Sequence, residues 1–203
     1  MPGEDHASFL KRFEYVIPPR ELGLLDFAYD MAKYGHRDQF RESGERYFEH
    51  VRATALIVVD ELEIKDWEIV AASLLHDMNE DSHLLTPERI KLIFGDRVEN
   101  ITTLVTKPKP EDPRFESKTE RLEWYFKRIV DGPWEAQVVK LADRIHNTRT
   151  LGSCSVEKQR RKREETLTFV DPVIVSLKLK HPKLAAKLGS LLGQALEPFM
   201  RLK

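Results

Sequence analysis

The chain has 203 residues, 41% hydrophobic and 33% charged, which suits one soluble folded domain and argues against a disordered chain. Lysine plus arginine (33) nearly balance aspartate plus glutamate (34), and the net charge of -1 offers no overall attraction to nucleic acid or an anionic membrane. A single cysteine, Cys154, excludes an intrachain disulfide and a thiolate metal cluster. The opening MPGEDHASFLKRF lacks an apolar signal core, and no apolar run approaches the roughly 20 residues needed to span a bilayer. A cytoplasmic protein is expected, with no nucleic-acid or membrane partner.

In chain order, Pro18-Pro19 precede a helical stripe through Leu22, Leu25, Phe27, Ala28, Met31 and Ala32. Residues 36–46, HRDQFRESGER, read as a polar loop. Helical periodicity resumes from Tyr47 to Leu62, and Trp67 to His76 is a short, almost wholly apolar helix that must be deeply buried. Thr86-Pro87-Glu88 starts another helix, broken at Gly95-Asp96, and Val98 to Val105 forms the next. The segment KPKPEDPRF is a proline-rich loop, followed by a helix to Val130 that opens on a Ser117/Glu120 capping box. Gly132-Pro133 opens a helix ending at Gly152. Residues 157–170 and 183–200 read as two further helices, separated near Pro172 and Pro182. No stretch alternates as a half-buried strand would, so the expected class is all-α, with seven or more helices and a single domain over 1–203.

The stretch SLLHDMNEDS carries the chemistry. It ends an apolar helix in His76, Asp77, Glu80 and Asp81, whose burial is costly unless something binds them. A second apolar helix, WEAQVVKLADRIHNTRTL, places Asp143, His146 and Asn147 on one side at i, i+3 and i+4. His50 lies early in a third. Together His50, His76, Asp77 and Asp143 offer two imidazoles and two carboxylates, a mixed set suited to manganese, iron or zinc.

The order His…His-Asp…Asp is that of the HD-domain metal phosphohydrolases. RESGERYFEH, LLHDMNEDS and VKLADRIHNTRTL resemble three blocks of the hydrolase domain of the RelA/SpoT alarmone enzymes: R-K-S-G-E-P-Y-x-x-H, L-L-H-D-x-x-E-D-T and K-L-A-D-R-x-H-N-M-R-T-L. LVTKPKP is similar to that family's V-T-K segment, and the likeness runs from about residue 24 to 170, with helices of 171–203 packing on it. The resemblance implies a single all-α domain with the HD phosphohydrolase fold. It implies one manganese ion held by His50, His76, Asp77 and Asp143, and a water activated by Glu80 and Asp81. It places Arg41 against the purine, Ser43, Asn147 and Thr150 near the nucleoside, and Lys107 near phosphate. Lys109, Arg144 and Arg149 are further cations available to phosphate, and Arg144 could equally support the metal carboxylates.

The implied reaction is hydrolysis of the 3′-pyrophosphate of guanosine tetra- or pentaphosphate (ppGpp, pppGpp) to GDP or GTP and pyrophosphate, by a stand-alone small alarmone hydrolase of the stringent response. The alternatives are the same chemistry on ppApp, NADPH or a nucleoside monophosphate, or a domain that binds nucleotide without turning it over. Several positions depart from the family: Glu42 for lysine, Arg46 and Val51 for proline, Asp38 for glycine, Met78-Asn79 for small apolar residues, Thr148 for methionine. Glu42 bears most on specificity, because an acid beside base or phosphate changes what binds there. The basic run EKQRRKREE reads as a solvated helix face, His146 as a packing or supporting residue, His36 as structural, and His83 as exposed loop. A helix-rich domain of this size is open to homodimer formation, and no segment marks an interface.

Overall fold

The computed structural model describes residues 4–78 and 85–201. All their regular elements are helical, as expected. In order they are α1 (His6–Lys11), α2 (Pro19–Gly35), α3 (Tyr47–Leu56), α4 (Trp67–Leu75), α5 (Pro87–Phe94), α6 (Asp96–Val105), α7 (Lys118–Val130), α8 (Trp134–Arg149), α9 (Val156–Lys180) and α10 (Pro182–Leu196). A π turn over Ile57–Glu61 prolongs α3, and 3₁₀ turns follow α8 and α10. Among the described residues no helix is long and apolar enough to cross a membrane.

Two helices form the centre. Every residue of α4 from Ile69 to Leu75 is buried, as is every residue of α8 from Ala136 to Ile145. A helix buried all round must be enclosed by others, and α2, α3, α6 and α8 pack around α4. Each fully buried leucine of this core contributes about 2 kcal/mol. The Asp66 carboxylate caps α4 by accepting from the Glu68 and Ile69 amides at 3.1 and 3.5 Å. Arg97 on α6 grips Asp66, Glu68 and Glu135 together, tying the starts of α4 and α8 to α6. Because α8 is central, its polar members Lys140, Asp143 and Arg144 are held inside the protein and must find partners there.

The loop of residues 36–46 folds as a small closed turn. Phe40 and Arg46 form an antiparallel bridge, the Arg41 amide donates to the Glu45 carbonyl at 2.8 Å, and the Gly44 amide donates to the Arg41 carbonyl at 2.9 Å. Gly44 takes φ 81°, a conformation that side chains disfavour. The turn presents Arg41, Glu42 and Ser43 toward α8 and α9.

The N-terminal segment adds a helix, α1, capped by Asp5, with Phe9 and Phe13 buried. Two local expectations are corrected. Ser117 caps α7 as expected, but Glu120 returns to the Glu116 amide at 2.8 Å and not to that of Ser117. The chain does not break at Pro172: α9 continues through it to Lys180. Proline removes the bond to the Thr168 carbonyl, and both residues face solvent, where water can serve that carbonyl while Phe169, Val173 and Leu177 keep the inner face packed. Beyond α9, helix α10 packs on α8 and α9.

Candidate metal centre and anion pocket

The site lies where α3, α4 and α8 meet. α4 ends at His76, whose Nδ1 faces the Ser73 carbonyl at 2.8 Å. The imidazole thereby satisfies a helix-terminal carbonyl and keeps its other nitrogen, Nε2, turned inward. His50 comes from the first turn of α3 and Asp143 from the middle of α8. One donor atom each from His50, His76 and Asp143 lies within 4.8 Å of the others. Asp77 completes the group: its Oδ2 is 3.5 Å from His50 Nε2 and 3.3 Å from His76 Nε2. Asp143 Oδ1 is 3.3 Å from His50 Nε2 and 3.8 Å from His76 Nε2.

These atoms face a shared centre more than they bond one another. His76 Nε2 is buried and has no hydrogen-bond partner among the described residues. A buried imidazole nitrogen aimed at carboxylate oxygens fits a divalent cation, which would take the place of the proton that those carboxylates otherwise favour there, and the residues present fit that group.

Each member is held from behind. Tyr47 donates from its hydroxyl to Asp77 Oδ2 at 2.7 Å, and its ring stacks on His36, whose Nδ1 lies 2.7 Å from Gln39 Oε1. Lys140, one turn before Asp143, donates to Asp143 Oδ2 at 2.6 Å, and Asn147, one turn after, donates to Asp143 Oδ1. His50 Nδ1 meets His146 Nδ1 at 2.7 Å.

The electrostatics follow from burial opposed by charge. Burial alone would raise Asp143, but Lys140 and the two imidazoles hold it well below the usual carboxylate range. Burial would likewise raise Asp77, and His76 and His50 hold it well down. Burial would lower His76, but Asp77 and Asp143 outweigh it and lift the imidazole to about 10. Burial, reinforced by His50 and Arg41, pushes His146 down to about 3, so its ring is neutral.

Beside the centre opens a pocket lined by the 41–43 turn, Tyr47, Lys107, α8 and the start of α9. Arg41 reaches the C-terminal end of α8, donating from Nη2 to Asn147 Oδ1 at 2.9 Å and to Thr150 Oγ1 at 3.2 Å. Helix C-termini favour cations. Its Nη1 is buried with no hydrogen-bond partner among the described residues. Lys107, two residues past α6, is pushed down to about 8 by Lys140, by burial and by Arg144.

The structure thus brings Arg41, Ser43, Lys107, Asn147 and Thr150 to one pocket beside His50, His76, Asp77 and Asp143. Glu80 and Asp81, and also His83, lie outside the described residues. Arg144 donates to Glu165 at 2.9 Å and lines the pocket, whereas Arg149 turns away to Glu61. Sequence reasoning gave no role to Tyr47 or Lys140, although Lys140 sits at i−3 from Asp143 on one helix, which is a legible signal. It also read the basic run at 157–165 as solvated, yet Lys158 and Lys162 line the pocket. Their i, i+4 spacing is visible in sequence, but the surface that α9 packs against is not.

An all-helical body with a His/Asp cluster at the junction of three helices, next to a cation-lined pocket, defines a helical protein with a candidate divalent-metal site. The chain belongs to the HD domain family, whose profile matches residues 28–169. A protein of Haemophilus influenzae named guanosine-3′,5′-bis(diphosphate) 3′-pyrophosphohydrolase is 39% identical over 171 residues, covering 83% of this chain and 24% of its own length. The Escherichia coli K12 bifunctional (p)ppGpp synthase/hydrolase SpoT is 34% identical over 170 residues, covering 82% of this chain and 24% of its own length. The chain therefore spans about a quarter of these curated relatives. A solved structure, described as a metazoan ortholog of SpoT that hydrolyzes ppGpp, superposes with a TM-score of 0.67 at 24% identity, covering 88% of this chain and 97% of that one. That likeness concerns the fold.

Proposed function

We propose that this protein is a manganese-dependent 3′-pyrophosphohydrolase of guanosine tetra- and pentaphosphate, in a single domain over residues 1–203. The observation that carries the proposal is the convergence of His50, His76, Asp77 and Asp143 beside a pocket lined by Arg41, Lys107, Lys140, Arg144, Lys158 and Lys162. A polyphosphate nucleotide needs both features at once: a polarising centre and cations for its remaining charge. The names of the relatives that match most of the chain support the same substrate.

In this reading His50, His76, Asp77 and Asp143 would hold the ion. When bound it would polarise a phosphoryl oxygen and lower the pKa of water. Tyr47, Lys140 and Asn147 fix the two carboxylates, so that little reorganisation is needed on substrate binding. Arg41, steadied by Asn147 and Thr150, presents a flat guanidinium for stacking on guanine. Ser43 sits beside the nucleoside and Lys107 meets phosphate. Glu80 and Asp81 are assigned the proton of the attacking water. The water oxygen bonds to the phosphorus on the 3′-oxygen, the bond from phosphorus to the 3′-oxygen breaks, and that oxygen takes a proton. The products are GDP or GTP and pyrophosphate. The presence of Glu42 in the pocket lining favours a second reading, the same chemistry on ppApp, NADPH or a nucleoside monophosphate.

The test is product analysis with Mn²⁺ and each nucleotide separately, with Asp77→Ala as control. Pyrophosphate released from ppGpp by the parent protein and not by the variant is the expected result. Turnover of only another nucleotide moves the assignment to that substrate. No turnover of any of them overturns the hydrolase reading.

A further inference from the structure

The pocket carries an ion pair, Glu42 with Lys158, that the proposed reaction gives no role. Among the described residues, six cationic side chains line it, and the acids that line it are Glu42 and Asp143. Asp143 faces the metal centre. Glu42 faces solvent, with its carboxylate Oε1 2.5 Å from Lys158 Nζ.

Three of these cations are paired with carboxylates on α8 and α9. Lys140 pairs with Asp143, while Arg144 and Lys162 share Glu165, each at 2.9 Å. Lys158 differs, because its carboxylate partner comes from the 41–43 turn, 116 residues away in sequence. The side chains of Lys158 and Glu42 are 31% and 61% exposed, so an incoming anion can reach the pair. Lys158 lies one helical turn before Lys162, which places the two ammonium groups on the same side of α9. Lys158 and Cys154 hold the Glu42 carboxyl below its ordinary range, so it is charged at neutral pH.

We propose that Glu42 is a resident counter-anion and specificity determinant: its carboxylate occupies Lys158 at the pocket mouth, and a phosphate group of the nucleotide must displace it to bind. The proposal rests on the pocket being a nucleotide site, and adds that the loop carries its own competitor. Two consequences follow physically. Glu42 weakens the binding of every phosphate-rich ligand by the strength of its hold on Lys158. It also repels ligands that carry charge at the mouth without engaging Lys158, which sharpens selection by position of the phosphates.

The test is calorimetric titration of the metal-loaded protein, dialysed free of excess metal, with GDP, GTP and inorganic pyrophosphate. None of these requires turnover. The parent is compared with Glu42→Gln, Lys158→Ala and the double variant. Glu42→Gln is expected to tighten binding by about three- to five-fold at low salt, the range of a partly exposed ion pair. The gain should shrink at high salt and vanish in the Lys158→Ala background. Weaker or unchanged binding in Glu42→Gln would overturn the proposal, as would a gain that persists without Lys158. Binding of pyrophosphate without GDP or GTP would remove the guanosine reading, and the same comparison on pyrophosphate would then decide the role of Glu42. Absence of binding by all three ligands overturns both.

Discussion

His50 Nδ1 and His146 Nδ1 lie 2.7 Å apart, joining α3 to α8 through two imidazoles. For His50 to present a lone pair from Nε2, its Nδ1 must carry the proton and donate it to His146. His146 must then be neutral, with its own proton on Nε2. Burial, with the Arg41 guanidinium nearby, secures that neutrality by pushing His146 down. The pair is thus a tautomer lock on one side of the candidate metal centre.

Replacing His146 should loosen metal binding. His146→Ala leaves His50 Nδ1 buried without its acceptor, and the loss of such an outer partner typically weakens metal affinity by about 10- to 100-fold. The measurement is the rise in melting temperature on adding Mn²⁺. Metal at about 100 times its Kd should add roughly 2.7 kcal/mol, or about 5–10 °C for a domain of this size. The variant should need more metal for the same rise, and a chelator should abolish the rise in both. An unchanged metal titration would show that His146 merely packs.

Lys107 predicts a pH dependence for anion binding. Lys140, burial and Arg144 lower it from its ordinary 10.5 to about 8. Its charge is present below pH 8 and is lost as pH rises through that value. Between about 8 and 10.5 the unfolded chain holds the proton that the folded one has shed, so this group makes folding more favourable as pH rises there. A bound polyanion restores the charge. Nucleotide binding near pH 8.5 should therefore take up protons, visible as calorimetric heats that differ between buffers of different ionisation enthalpy. Affinity should fall above pH 8. Lys107→Arg should keep binding and lose the proton uptake, and identical heats in both buffers would contradict the assignment.

Arg128 connects stability to the pocket. From α7 its Nη2 reaches the Thr103, Leu104 and Thr106 carbonyls at 2.9, 2.8 and 2.8 Å, closing the end of α6 next to Lys107. Tyr125 adds its hydroxyl to the Val105 carbonyl at 2.5 Å. Arg128→Ala leaves those carbonyls short of a charged donor, which costs about 2–3 kcal/mol. Thermal melting should show a loss of about 4–12 °C, and phosphate-ligand affinity should fall with it, because Lys107 loses its anchor. Lys should rescue little, since one ammonium does not reproduce the planar fork.

Much of this protein is readable in one dimension. The apolar runs of α4 and α8 announced buried helices, and acids and imidazoles within or ending those runs announced a site, because such groups are not buried without partners. Motif blocks then put His50, His76, Asp77 and Asp143 in a single set, and three helices do bring them together. Boundaries were less legible where solvent decided them. Pro172 punctuates a sequence, but on a wet face of α9 it does not end the helix.

What the sequence by itself determined is the class of fold and a set of candidate donors, since both depend on local periodicity and on residue chemistry at short spacing. What only the tertiary structure decided is who stands behind and opposite each donor: Tyr47 on Asp77, His146 on His50, Lys158 and Lys162 on the pocket wall, and Glu42 against Lys158. Those pairs join residues far apart in the chain. No periodicity encodes them, because they arise only when the packing of helices settles which faces meet.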